Sequence, residues 1–203
     1  ASVSPENERA IERLQSRLAR PTTSPAVSRA LLDLLMQLYL VQGRSAEAAE
    51  AASRLVSRVA ATDGGARASE LLSAGQVLLE SGRASEALEA AQAAIATADP
   101  EAVPEVLMLR AGARRQLARR EQGEQREVLL RRAGLDLMRL FVERPEDPRA
   151  PEALQQAARL HVELSEPNLP AARAAYEEIR RRYPQTPSAA KARKALEKLS
   201  AGE

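Results

Sequence analysis

Two stretches of this chain are nearly the same: Gly43-Arg44-Ser45-Ala46-Glu47-Ala48 and Gly82-Arg83-Ala84-Ser85-Glu86-Ala87, thirty-nine residues apart. Repetition at this period restricts a chain to an array of one supersecondary unit, because each unit has an apolar face that only a neighbour can cover. The flanking residues say what the unit is. Before the first glycine, Val27, Leu31, Leu34, Leu35 and Leu38 recur at helical spacing; after it come Ala48, Ala49, Ala52, Leu55, Val56 and Val59. Around the second, Leu71, Leu72, Gly75, Leu78 and Leu79 are followed by Ala87, Leu88, Ala91, Ala94 and Ile95. The unit is a helix, a glycine stop, and a second helix opened by Ser45 or Ser85.

Composition agrees. The chain has 203 residues, no Trp, one Phe and three Tyr, yet 44% of it is apolar. Ala and Leu must do the packing. Ala is the best helix former and lets helix axes approach closely. Strand-favouring residues are scarce, so the expected fold class is all-α.

The remaining punctuation extends the array. Ser4-Pro5 and Ser24-Pro25 are helix starts, as is Thr186-Pro187; Thr62-Asp63-Gly64-Gly65 is a turn. The expected organisation is a capping helix in 1–25, helix-pair units in 26–65, 66–102, 103–148 and 149–185, and a capping helix in 186–203, about nine helices in all. The third unit is expected to carry a long charged loop over 119–127, and the helix within 5–20 reads like the second half of a repeat. That helix either caps the stack or belongs to a longer protein.

These units resemble the tetratricopeptide repeat (TPR). That family places a small residue midway along the first helix, a bulky one three later, Gly near the turn, small residues in the second helix, and Pro at its end. Gly75, Leu78, Gly82, Ala87, Ala91, Ala94 and Pro100 follow this pattern. Looser versions are Met36, Tyr39, Gly43 and Ala48; Gly112, Ala133, Leu137 and Pro145; and Ala158, His161, Ala172, Tyr176 and Pro184. The resemblance implies a TPR-like α-solenoid of antiparallel helix pairs that binds protein or peptide in a groove. The segment Tyr183-Pro184-Gln185-Thr186-Pro187-Ser188-Ala189 is also similar to inter-repeat segments of bacterial cell-envelope members, which favours a periplasmic or envelope setting.

Chemistry of other kinds finds little material. Cys is absent and His161 is the single histidine, so thiolate chemistry and His-cluster metal sites are excluded. His161 falls where the repeat wants a packing residue. Glu177 and Glu178 are adjacent on a helix and point apart. No phosphate loop is present, no cofactor is expected, and the chain reads as non-catalytic. No apolar run approaches the ~20 residues of a membrane helix.

Arg110, Arg114, Arg115, Arg119 and Arg120 lie at helical spacing, a possible basic surface. A phosphate-binding stripe is one reading, an acidic protein or lipid headgroup another, a solvated face the third. Glu121, Glu124 and Glu127 interleave, the net charge is only +2, and aromatic platforms are nearly missing, which argues against nucleic acid. The face assigned to the groove carries Asp33, Gln37, Leu40, Leu72, Gln76, Leu79, Leu109, Ala113 and Gln116. With neither Lys nor Arg nor Asn, it suits an apolar helix or extended segment rather than a carboxylate clamp. The expected function is therefore a protein-interaction scaffold, with a structural subunit of a larger or homo-oligomeric assembly as the alternative.

Overall fold

The computed structural model describes residues 5–60 and 68–201. Ser4 and the Thr62-Gly65 turn lie outside the described residues. Within them are ten α-helices and no strand: α1 (Pro5–Leu18), α2 (Pro25–Val41), α3 (Ser45–Ala60), α4 (Ala68–Glu80), α5 (Ala84–Thr97), α6 (Val103–Ala118), α7 (Gly123–Glu143), α8 (Ala150–Glu163), α9 (Leu169–Arg182) and α10 (Pro187–Ala201). The fold is all-α, of TPR-like α-solenoid type. The chain divides into two compact units, Ala1–Ala102 with α1 to α5 and Val103–Glu203 with α6 to α10.

In the first unit the repeated words fold identically. Gly43 and Gly82 take φ of 72° and 83°, the left-handed region that favours glycine. The Arg44 N–H donates to the Tyr39 carbonyl at 2.8 Å and the Gly43 N–H to Leu40 at 3.0 Å; Arg83 to Leu78 (2.8 Å) and Gly82 to Leu79 (3.1 Å) repeat the pattern. This is the six-to-one and five-to-two closure of a Schellman turn. The turn is so short that Ser45 and Ser85 already lie inside the first turn of α3 and α5 instead of capping them. Arg83, the N-cap of α5, makes no side-chain cap bond.

The arginines repeat too. Arg44 pairs with Glu47 on α3 and reaches Glu8 on α1; Arg83 pairs with Glu86 on α5 and reaches Glu50 on α3. Helix α1 thus stands to the first turn as α3 stands to the second, in the place of a second repeat helix. Ile11 and Leu18 supply its buried face, and Gln15 Nε2 donates to Tyr39 Oη at 2.8 Å. The α4/α5 pair is closed by small residues: Gly75 on α4, and Ala84, Ala87, Ala90, Ala91 and Ala94 on α5, are all buried.

In the second unit one core joins α6, α7 and α8 through Leu107, Leu130, Ala133, Leu137, Leu140, Ala153 and Leu160. Another joins α8, α9 and α10 through Leu154, Tyr176, Ile179, Ala192 and Leu196. Burying each large side chain contributes roughly 1.5–3 kcal/mol. The expected long loop of the third repeat is a correction. Only 119–122 link α6 to α7, and the charged stretch from Gly123 onward is helix. Glu, Gln and Arg are good helix formers, and Glu127 is anchored by the Ser165 N–H (2.8 Å) and Oγ (2.7 Å). At the far end, Tyr183 Oη donates to the Pro145 carbonyl at 2.7 Å, tying α9 to the α7–α8 link. Asn168 and Thr186 cap α9 and α10 by accepting from Ala171 (3.1 Å) and Ala189 (3.4 Å).

Candidate functional site

Helix α2 is apolar on more than one side, and the packing uses only one of them. Leu31, Leu32, Leu35, Met36 and Tyr39 are buried. Val27, Leu34, Leu40 and Val41 stay exposed, Leu34 at 52% and Val41 at 77%. Val27, Leu34 and Val41 are seven residues apart and so form one stripe along the helix. The heptad spacing was visible in the sequence. The orientation of Leu34 was not, because Leu34 and Leu35 fit a helical core equally well.

Gln37, one turn from both Leu34 and Val41, links this side of α2 to α4. Gln37 Nε2 donates to Ser73 Oγ at 3.2 Å across the two helices. Gln76 is exposed and Leu79 half-buried on the same side of α4. Asp33 lies half-buried at the margin, its carboxyl held above the usual range by burial and then by the charge of Glu70, with the Gln37 hydrogen bond opposing. The α2/α4 face thus combines Leu34, Gln37, Leu40, Val41, Gln76 and Leu79. Among the other residues assigned to the groove, Leu72, Leu109 and Ala113 are a correction: all three are buried and serve helix packing. Their positions were chosen by repeat register, and they turn inward. Gln116 is half-buried, and its Oε1 has no hydrogen-bond partner. Leu109, Ala113 and Gln116 sit on α6, in the second unit.

The arginine series is also redistributed. Arg110 and Arg114 both pair with Asp136 of α7, and Arg115 pairs with Glu163 of α8. Arg114 also donates to the Arg132 carbonyl at 3.3 Å. Three of the five arginines therefore clamp helices together; Arg119 and Arg120 are exposed on the α6–α7 link. Further on, Arg181 and Arg182 pair with Glu178, and Arg182 lies 5.5 Å over the Phe141 ring. Sequence reasoning missed Asp136, the partner that converts the stripe into a clamp. Its signal was a lone carboxylate among Gly134, Leu135, Leu137 and Met138.

The second unit holds an apolar pocket of about 300 Å³. Helix α7 contributes Leu130, Arg131, Gly134, Leu135 and Met138; α8 contributes Ala157, Leu160, His161 and Leu164. Burial lowers the proton affinity of His161 below its ordinary value, so the neutral imidazole is favoured there. Its carbonyl accepts the Asn168 N–H at 2.9 Å. Among the described residues, no group of three or more His, Asp or Glu is placed to hold a metal ion, and no helix is long and apolar enough to cross a membrane.

No protein-family model matches the chain, and no curated protein matches it in sequence. Solved structures do match. YrrB, described as a TPR protein with an unusual peptide-binding site, aligns over 93% of this chain and 84% of its own at 17% identity, with a TM-score of 0.63. The C-terminal part of a TPR repeat-containing protein from Cytophaga hutchinsonii aligns over 87% of this chain and 74% of its own at 16% identity, with a TM-score of 0.38. The first alignment, together with the two Schellman-closed helix pairs, identifies the fold of this chain as that of the tetratricopeptide repeat.

Proposed function

We propose that the protein is a non-catalytic interaction scaffold that holds a peptide or helix of a partner protein along the α2/α4 face. One observation carries this reading: Val27, Leu34 and Val41 form an apolar stripe left in solvent on a helix whose opposite side is fully packed. Large aliphatic side chains aligned on one exposed face mark a contact surface more often than isolated ones do. Gln37, Ser73 and Gln76 lie alongside and can bond to a partner backbone. The fold neighbour YrrB, described as a TPR protein with an unusual peptide-binding site, supports this reading of the fold.

The test is site-specific photo-crosslinking from Leu34 and Val41 in the native host, followed by titration of the captured segment against the purified chain. Leu34→Glu with Val41→Glu should leave the circular dichroism unchanged and abolish binding of that segment. Undiminished binding by the double variant sinks the reading.

A second reading is favoured by the same stripe: a second copy of the chain covers it, and the protein is a structural subunit of a homo-oligomeric or cell-envelope assembly. Light scattering separates the two. A dimer that Leu34→Glu dissociates supports the second; a monomer supports the first.

A further inference from the structure

We propose that the α7/α8 pocket is a second docking site, one that takes an amphipathic helix of a protein partner carrying aliphatic anchors and a neighbouring carboxylate. It lies within the second unit and does not depend on the α2/α4 face.

The pocket is not a packing fault. Its volume, about 300 Å³, is some ten times the roughly 30 Å³ share of one water in the liquid and stands at the lower end of ligand pockets, roughly 300–1,000 Å³. Leu130, Leu135, Met138, Leu160 and Leu164 make most of its wall, hydrocarbon or thioether, with Arg131 and His161 as the polar members of the lining. A polar group entering it would leave hydrogen bonds behind in water, so the inserted part of the occupant is aliphatic or aromatic. Leu135, at 69% exposure, stands in the solvent at this site.

Gly134 points to a helix as the occupant. It sits in the middle of the 21-residue helix α7, where glycine is about 1 kcal/mol worse than alanine. A Cβ built there meets no heavy atom within 4 Å. Nothing inside the molecule calls for the missing side chain. What a bare glycine on an open helix face permits is close approach of another backbone. Arg131, Gly134, Leu135 and Met138 recur at the three-and-four spacing that lets one helix lie along another.

The charge at the site selects the partner's polar side. Arg131 is exposed at the lining of the pocket. The acid one turn before it, Glu127, is already held by the Ser165 N–H and hydroxyl and by Arg126 at 3.4 Å. The acid of α8, Glu163, is held by Arg115. Glu127 is thus shared by Arg126 and Arg131, both of whose charges it feels, so one carboxylate answers two guanidinium groups and the rim of the pocket keeps an excess of positive charge. An occupant with Asp or Glu one turn from its anchors satisfies it.

The experiment pans a displayed library of helix-forming peptides, about four turns long, on the full chain. Enriched peptides should share two aliphatic or aromatic residues three or four apart with Asp or Glu within one turn. Gly134→Leu, which fills the pocket from an unobstructed position, should weaken them by about tenfold or more. Leu135→Lys, a solvent-exposed change that leaves the core alone, should weaken them as well, and Arg131→Glu should shift selection toward Lys-bearing peptides. Leu34→Glu with Val41→Glu should leave them bound, which separates this site from the α2/α4 face. The proposal is overturned if no such pattern emerges, if binding survives both Gly134→Leu and Leu135→Lys, or if dodecanoate or phosphatidylglycerol vesicles bind in a Gly134→Leu-sensitive way while peptides do not.

Discussion

Arg110 and Asp136 are locked together between α6 and α7: the guanidinium Nε lies 3.1 Å from Oδ1 and 3.0 Å from Oδ2 of a carboxylate that is only 4% exposed. Arg114 approaches the same carboxylate from the next turn of α6. A buried acid with two cations is the arrangement in which removing one member costs most, because the remaining charges lose their compensation. Asp136→Asn is therefore expected to lower stability by about 3–5 kcal/mol, measured by urea denaturation. Arg110→Met and Arg114→Met together with Asp136→Leu should recover much of that loss, because no member of the triad is then left uncompensated. An Asp136→Asn variant as stable as the parent would show that the clamp is dispensable.

The left-handed glycines give a cleaner measurement. A Cβ at Gly43 meets nothing within 4 Å, so Gly43→Ala is penalised only by its φ of 72°. The expected loss is about 1–2 kcal/mol, seen as a lower thermal midpoint. Gly43→Asn should lose less, since Asn tolerates this region better. Equal losses for Ala and Asn would point to a cause other than backbone conformation.

Leu72 and Leu34 were both legible as apolar residues of first repeat helices, and the structure separates them. Leu72 is 5% exposed and Leu34 is half in solvent. Leu72→Glu should unfold the first unit in far-ultraviolet circular dichroism, because it places an unpaired charge in the core. Leu34→Glu should change stability by no more than about 0.5 kcal/mol, as surface substitutions do. A folded Leu72→Glu protein contradicts the packing of α4.

His161 contributes a pH dependence of known sign. Burial lowers its folded proton affinity below the ordinary value of 6.5. Below about pH 6.5 the unfolded chain then binds the proton more readily than the folded one, and stability falls as pH falls through this window. Comparing parent with His161→Gln from about pH 7.5 to about pH 5 isolates the effect. The parent should lose more stability than the variant; parallel curves would assign the pH dependence to other groups.

Much of the fold was written locally. The Gly43-Arg44 and Gly82-Arg83 words dictate their turns because glycine alone reaches a positive φ without strain, and the flanking three-and-four spacing of Leu and Ala dictates helices. The starts at Pro25 and Pro187 followed from the capping chemistry of Ser24 and Thr186. These are properties of a few neighbouring residues, and a linear reading captures them.

The site was decided elsewhere. Whether Leu34 or Leu35 faces the core depends on a rotation of α2 set chiefly by α3 and α1, since a helix apolar on more than one side contains no signal that chooses among them. The arginines of α6 looked like a surface until Asp136, twenty-six residues from Arg110, and Glu163 arrived from other helices to pair with three of them. The α7/α8 pocket exists because Gly134 on one helix and Leu160 on the next leave space unfilled, a property of neither sequence alone. Local bonding specified the helices and turns of this protein, and only the packing of helix against helix decided which side chains remain free to meet a partner.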